Sequence, residues 1–204
     1  MVYLKLEKTD FEILDFMARN LEAEHSIKEI SEILKRPYVK IHKSIKRLEA
    51  KKIINIEIKG KSHYCLLDYG NNLDVLCFIC SQRARNFLEK NKKIKTFILE
   101  VKEKAGLPDY IFLIFGSFAK GNADKNSDLD IAIISSLDNK EAFERLINSL
   151  KRIYPIKIHS LEFDYKEFIE MLKAKENNVG KEIIKNNIIF NGAEQFYNCL
   201  ILTK

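Results

Sequence analysis

Two aspartates, Asp128 and Asp130, follow the turn-like segment 122–127 and precede the apolar run 131–134. Because side chains alternate along a strand, both carboxylates would lie on one face, about 7 Å apart along the chain. Two carboxylates at the mouth of a buried strand repel each other unless a cation lies between them. Proteins commonly hold Mg²⁺ with one or two carboxylates and the phosphates of a substrate. The pair therefore predicts a site for a divalent cation.

A glycine and a serine precede this pair. The apolar run 111–115 predicts a buried strand, and Gly116 at its end would allow a backbone or a phosphate to approach closely. Ser117 then opens a short helix, whose free N–H groups and dipole favour an anion. Gly121 is predicted to end that helix, before a segment with the composition of a turn. An anion site is thus expected beside the two carboxylates.

These elements together resemble the motif of the polymerase-β-like nucleotidyltransferase superfamily, and most of all its minimal nucleotidyltransferases. The residues that carry the resemblance are Gly116, Ser117, Gly121, Ser127, Asp128, Leu129 and Asp130. The resemblance covers roughly residues 95–204. It implies that the two glycines and two serines bind a nucleoside triphosphate, with ATP as the expected nucleotide. It also implies that the two aspartates are catalytic and hold Mg²⁺ or Mn²⁺.

The third carboxylate of that superfamily has no clear counterpart in this chain. It generally lies on the strand after the next helix, which is predicted here over residues 156–161. Lys157 aligns with it by the hydrophobic pattern, His159 shares that face of the strand, and Glu162 stands only at the strand's end. Three alternatives follow: Glu162 reaches into the site, His159 acts as the base, or the domain binds nucleotide without transferring it.

The N-terminal part of the chain predicts a second module. Thr9 and Ser26 are expected to cap two helices, and Pro37 suits the first turn of a third helix. A hairpin of extended runs follows over residues 53–68. Three helices and a hairpin in this order predict a winged helix-turn-helix. Residues 41–49 resemble the recognition helices of bacterial and archaeal winged-helix regulators.

The charge of this module is localised. Between Lys35 and Lys61 there are ten Lys or Arg residues and two Glu, a net charge of +8. A basic helix and wing are typical of nucleic-acid binding. The residues expected to approach bases are Tyr38, Lys40, His42 and Lys43, and those expected to meet phosphates are Lys46, Arg47, Lys59 and Lys61. The alternatives are a solvated lysine face and a protein-interaction module.

The predicted organisation is mixed α+β. It comprises a winged helix-turn-helix over residues 1–70, a helical linker over 71–106, and a small mixed sheet flanked by helices over 107–204. The composition is ordinary for a globular protein, with 46% hydrophobic and 31% charged residues. No apolar run approaches the ~20 residues of a membrane span, and the N-terminus lacks the core of a signal peptide. A cytoplasmic location is therefore expected.

These observations predict a DNA-binding protein that transfers a nucleoside monophosphate from a triphosphate to a hydroxyl acceptor. The alternative is a catalytically inactive, nucleotide-sensing or antitoxin-like transcriptional regulator, with a cognate toxin as its protein partner. Because operators are commonly two-fold symmetric, a homodimer is expected by analogy.

Overall fold

In the computed structural model, residues 6–21, 23–60, 62–107 and 109–203 are described. The chain forms two compact units, Met1–Ile79 and Cys80–Lys204. Each unit contains helices and one small sheet, so the mixed α+β class predicted from the sequence is confirmed. In the described part of the chain, no helix has both the length and the apolar character that crossing a membrane requires.

The described residues of the first unit form helices around a three-stranded antiparallel sheet. In chain order the elements are α1 (Lys8–Arg19), β1 (His25–Ser26), α2 (Ile27–Ile33), α3 (Tyr38–Ala50), β2 (Ile54–Lys59) and β3 (Ser62–Leu67). Strand β3 is central and pairs with β1 and β2. The apolar stripes of the helices meet in a core that includes Ile13, Ile30, Ile45 and Cys65, each 0% exposed. Ser26 caps α2 as predicted, because its hydroxyl accepts a hydrogen bond from the Glu29 amide.

The start of α1 differs from the prediction. The N-cap is Glu7, and the expected cap residue, Thr9, is buried inside the helix. The reason is Asp10, whose Oδ2 accepts a hydrogen bond of 2.9 Å from the Glu7 amide. The carboxylate of Asp10 is 0% exposed and also binds Arg47 of α3, at 2.7 Å from Nη2 to Oδ1 and 3.0 Å from Nε to Oδ2. This buried ion pair fixes the first turn of α1 against α3.

Helix α4 (Leu73–Lys90) begins in the first unit and ends in the second. The further elements are α5 (Lys92–Ala105), β4 (Tyr110–Ile114), α6 (Gly116–Lys120), β5 (Leu129–Ser135), α7 (Leu137–Lys151), β6 (Ile158–Asp164), α8 (Tyr165–Lys173), α9 (Val179–Lys185), β7 (Ile188–Asn191) and α10 (Ala193–Ile201). The strands of this unit's described residues form a four-stranded sheet in the order β6-β5-β4-β7. Only the β5–β6 pair among them is parallel.

One face of this sheet carries the core of the second unit. Side chains of β4, β5 and β7 pack there against α5 and α7, with Phe97 and Ile147 both 0% exposed. Helix α5, predicted as part of a linker, thus contributes its apolar stripe to this core. Strand β6 begins two residues later than predicted, at Ile158. Pro155 lies in the bend before it, and a proline cannot donate a ladder hydrogen bond.

Replacing Arg47 by Met tests the ion pair in the first unit. The change leaves the buried Asp10 carboxylate without its guanidinium, so we expect the free energy of unfolding to fall by about 2 kcal/mol, below the usual cost because Arg47 is partly solvated. The matched control is Lys46→Met, whose pair with Glu49 on the same helix is exposed and should contribute under about 0.5 kcal/mol. Urea unfolding followed by far-UV circular dichroism measures both, and equal effects would contradict the assignment.

Candidate nucleotide site

The turn between β4 and α6 brings Gly116 against Asp130. The amide of Phe115 donates a hydrogen bond of 3.0 Å to the carbonyl of Asp130, which fixes the two segments side by side. Gly116 has φ +66°, and a Cβ atom at this position would lie 2.1 Å from Oδ2 of Asp130. Both the backbone conformation and the space therefore require glycine. The consequence is that the Asp130 carboxylate lies directly on the backbone of the turn.

His159 holds the other oxygen of the same carboxylate. In the parallel pairing of β5 with β6, Asp130 and His159 are register partners. The Nδ1 atom of His159 lies 3.0 Å from Oδ1 of Asp130. A carboxylate in this pair only accepts, so Nδ1 carries the hydrogen and donates it. Asp130 is thus fixed on two sides, with its side chain 25% exposed.

Asp128 is the exposed residue immediately before β5. The turn that precedes it is tied by Asp124, whose Oδ1 accepts hydrogen bonds from the Asn126 amide at 2.8 Å and the Ser127 hydroxyl at 3.1 Å. These bonds lower the pKa of Asp124, because they favour the ionised carboxylate. The Ser127 hydroxyl also accepts from the Asp124 amide at 2.9 Å, so it is engaged within the turn.

The remaining predicted nucleotide-binding residues lie on α6. Ser117 is half-buried in the first turn of this helix. Gly121 is in the left-handed conformation at the helix end, as predicted, and its amide donates to the carbonyls of the last turn. The structure therefore brings Gly116, Asp130 and His159 into contact. Ser127 and Asp128 adjoin this group along the chain, and Gly121 stands at the far end of α6.

The register decides which side chains can take the place of a third carboxylate. Glu162 pairs with Ile133, three residues along from Asp130 and therefore on the opposite face of the sheet. That face is covered by the core, and Oε1 of Glu162 is buried and has no hydrogen-bond partner among the described residues. Lys157 is exposed, and its carbonyl accepts from the Leu129 amide at 2.8 Å. The face that carries Asp130 thus presents His159 and not Glu162.

A divalent cation bound by Asp128 and Asp130 would take its other ligands from water and a substrate. Within the described ranges, no group of three or more His, Cys, Asp or Glu side chains is arranged to hold a metal. Mg²⁺ commonly retains water and binds one or two carboxylates together with substrate phosphates. Asp128 and Asp130 are the carboxylates that such a site would use, and Gly116 is buried with Oδ2 of Asp130 where a Cβ would lie.

Four of the predicted DNA-contacting side chains lie on the outer part of α3. Tyr38 is 49% exposed, and its ring stacks on that of His42 at a centroid distance of 5.9 Å. Lys40 and Lys43 are exposed, and neither has a carboxylate within 4.0 Å among the residues that the structure describes. These two ammonium groups are therefore available to phosphates or bases.

The other predicted phosphate contacts have partners within the first unit. Lys46 pairs with Glu49 at 2.8 Å, and Arg47 binds Glu7 and Asp10 at the start of α1. Lys59 pairs with Glu24 and Glu57, and the hydrogen bond to Glu24 raises the pKa of this lysine. Lys61 lies outside the described residues. Glu7, Asp10 and Glu24 are distant in the chain from the cations that they bind, so the sequence alone did not reveal these partners. Glu49 and Glu57 are close to their lysines in the chain.

Comparison with known proteins identifies one part of the chain. Residues 94–190 match the family model described as a nucleotidyltransferase domain. A search of curated proteins and a search of solved structures each find no match. The matched residues include the Gly116 turn, both aspartates and His159, and they exclude the first unit. The match supports nucleotidyl transfer in general and a nucleotide substrate, for which such domains commonly use divalent metals.

Replacing Gly116 by Ala tests whether the close contact with Asp130 matters. The added methyl group would displace the carboxylate, so we expect metal-dependent nucleotide affinity to fall at least tenfold, about 1.4 kcal/mol. The matched control is Gly106→Ala, since Gly106 has φ +61° and its nearest atom would be 3.8 Å away. That variant bears the same backbone strain, about 1 kcal/mol, without a clash. Calorimetric titration of ATP with Mg²⁺ compares them, and equal affinities would refute the role of the contact.

Proposed function

We propose that the second unit transfers a nucleoside monophosphate from a nucleoside triphosphate to a hydroxyl acceptor. The observation that carries the proposal is the packing of Gly116 against Asp130 inside the stretch that matches a nucleotidyltransferase domain. Asp128 and Asp130 would hold Mg²⁺ or Mn²⁺, and ATP is the expected donor. When bound, the cation supplies neutralisation of phosphate charge, which is the main requirement of phosphoryl chemistry.

The chain's own residues would act by positioning. Gly116 is buried against the Asp130 carboxylate and fixes its position, and Ser117 lies at the same turn, where it would contact a phosphate. His159 restrains the rotation of Asp130 by its hydrogen bond at 3.0 Å. In the neutral ring its Nε2 is then an acceptor, so the role of His159 as the base stays a prediction beside this positioning role. The register of Glu162, which places it on the face opposite Asp130, argues against the alternative that it reaches the site.

The test of this proposal is the separate replacement of the two aspartates. Asp128→Asn and Asp130→Asn each remove one anionic ligand at nearly constant volume, so we expect at least a tenfold loss of Mg²⁺-dependent affinity for ATP, GTP, CTP or UTP. The control is Asp138→Asn, an exposed carboxylate in the first turn of α7. Transfer from α-³²P-labelled triphosphate is then measured with and without EDTA. Full transfer by both site variants would exclude the mechanism.

The inactive regulator is the second candidate, and one observation favours it. The position aligned with a third carboxylate is Lys157, and the neighbouring position on that face is His159. Such a domain would bind nucleotide with the same aspartates and yield no labelled product. Copurification of a small toxin encoded beside it would support the antitoxin-like form. The homodimer and the cytoplasmic location also stay predictions.

For the first unit we propose binding to duplex DNA as a winged helix-turn-helix. The support is the order of three helices and a β2–β3 hairpin, together with the exposed Lys40 and Lys43 on α3. Lys46 and Lys59 are exposed enough to exchange their carboxylates for phosphates, as surface pairs are weak. Arg47 is better explained as a structural residue, since its guanidinium binds the buried Asp10.

Neutralising the two free lysines of α3 tests this proposal. Lys40→Gln/Lys43→Gln should weaken binding to a labelled duplex at least tenfold and make the slope of log K against log salt less steep, because two cations that displace counterions at the duplex are lost. The control Lys8→Gln/Lys28→Gln removes the same charge from exposed positions on α1 and α2. Electrophoretic mobility shift and fluorescence anisotropy report both quantities. Unchanged affinity and slope would leave α3 without a DNA-binding role.

A further inference from the structure

A cleft of about 700 Å³ opens in the second unit beside the start of β5. Its walls come from the α4–α5 junction, α6, the turn before Asp128 and the bend before β6. Of the wall residues, Lys157 directly precedes β6, and Ser127 precedes Asp128, two residues before the start of β5. The cleft therefore borders the candidate nucleotide site and shares Ser127 with it.

The charge of the cleft is strongly positive. Five exposed lysines line it: Lys90, Lys92, Lys93, Lys125 and Lys157. None of these five has a carboxylate within 4.0 Å in the parts of the chain that the structure describes. By contrast, Lys104, Lys120 and Lys140 of the same unit each form an ion pair.

The two acidic residues of the cleft, Glu89 and Asp124, neutralise this cluster only in part and leave a net charge of +3. Asp124 is occupied by hydrogen bonds within its own turn, and Glu89 is exposed and pairs with none of the five lysines. Five ammonium groups around one cleft repel one another unless an anion lies among them. The cluster thus favours a ligand with several negative charges.

An aromatic side chain is the second feature of the cleft that bears on its ligand. Phe118 lines the cleft and is partly exposed on α6, two residues beyond Gly116. Sites for single-stranded nucleic acid combine a positive groove, which follows the phosphates, with aromatic rings on which bases stack. The five lysines come from three separate segments of the chain, and Gly116 is not among the residues that line the cleft.

We propose that this cleft binds the phosphates of a single-stranded nucleic acid whose terminal hydroxyl is the acceptor. The proposal rests on the nucleotidyl transfer proposed above. In the reaction, the terminal hydroxyl oxygen bonds to the α-phosphorus of the triphosphate. The bond from that phosphorus to the bridging oxygen breaks, pyrophosphate leaves with the electron pair, and the hydroxyl proton passes to water.

The test uses a parent, the full chain with Lys40→Gln/Lys43→Gln, in which the first unit contributes little. Two variants of this parent, each with three further substitutions, are compared. The cleft variant is Lys92→Gln/Lys93→Gln/Lys157→Gln, and the control is Lys102→Gln/Lys166→Gln/Lys173→Gln. The control lysines are exposed residues of the same unit outside the cleft. The probes are fluorescein-labelled 12-nucleotide single strands of RNA and of DNA with one sequence, titrated without nucleotide and read by anisotropy.

We expect the cleft variant to bind a probe at least tenfold more weakly and to lower the salt slope by about 2, from three contacts at about 0.7 each. The control should keep the parent's affinity and slope. A preference for RNA or for DNA would identify the source of the strand. Equal loss in the two variants, or none in either, overturns the proposal.

Two further measurements separate this proposal from its competitors. If the cleft variant loses Mg²⁺-dependent ATP affinity but keeps the probe, the cleft serves the triphosphate and the proposal is wrong. If a poly-glutamate peptide displaces the probe as well as unlabelled strand does, the cleft is an acidic-protein site and the proposal is again wrong. Absence of ATP binding to the parent chain contradicts the proposed transfer and the acceptor role that rests on it, but not the binding of a strand in the cleft, since the probe titration contains no nucleotide.

Discussion

The contact between the backbone of Gly116 and the carboxylate of Asp130 is the constraint on which the second unit's site depends. This contact requires a residue without a Cβ atom, a left-handed backbone conformation at that residue, and a fixed distance between strands β4 and β5. Strands β4 and β5 meet that requirement through antiparallel pairing, and the Phe115 amide continues the pairing to Asp130 itself. His159 then restrains the same carboxylate from β6. A rigid sheet thus positions a charged group that would otherwise rotate freely at a strand end.

Cationic side chains fall into two groups in this protein. Arg47 stabilises the first unit, because its planar fork satisfies both oxygens of the buried Asp10. Lys40, Lys43 and the five cleft lysines are exposed and have no carboxylate partner among the described residues. The net charge of +6 therefore does not measure how much positive charge each surface offers. The positive charge that a surface offers is determined by which cations form ion pairs, and the ion pairs depend on the fold.

Local signals in the sequence predicted most of the elements. The helices over 73–90 and 92–105 have the predicted bounds, because apolar periodicity and Gly106 define them. The glycine-serine turn and the strand after it were also predictable from composition. The role of Arg47 was not, since Asp10 is 37 residues away in the chain. Nor was the register of β6, because a pattern of alternating residues fits two strand positions equally well until pairing fixes the partner of Asp130.

Lys157 connects the two proposals for the second unit. At the position aligned with a third carboxylate, a lysine removes one negative charge and adds one positive charge. The proposed metal site would then rely on two aspartates and on the substrate's phosphates, a set of ligands that Mg²⁺ commonly uses. The same ammonium group lines the cleft beside Ser127, where it adds to four other lysines. The substitution that departs from the three-carboxylate pattern thus increases the attraction of this surface for an anionic acceptor, and a negatively charged acceptor would approach Asp128 against less repulsion.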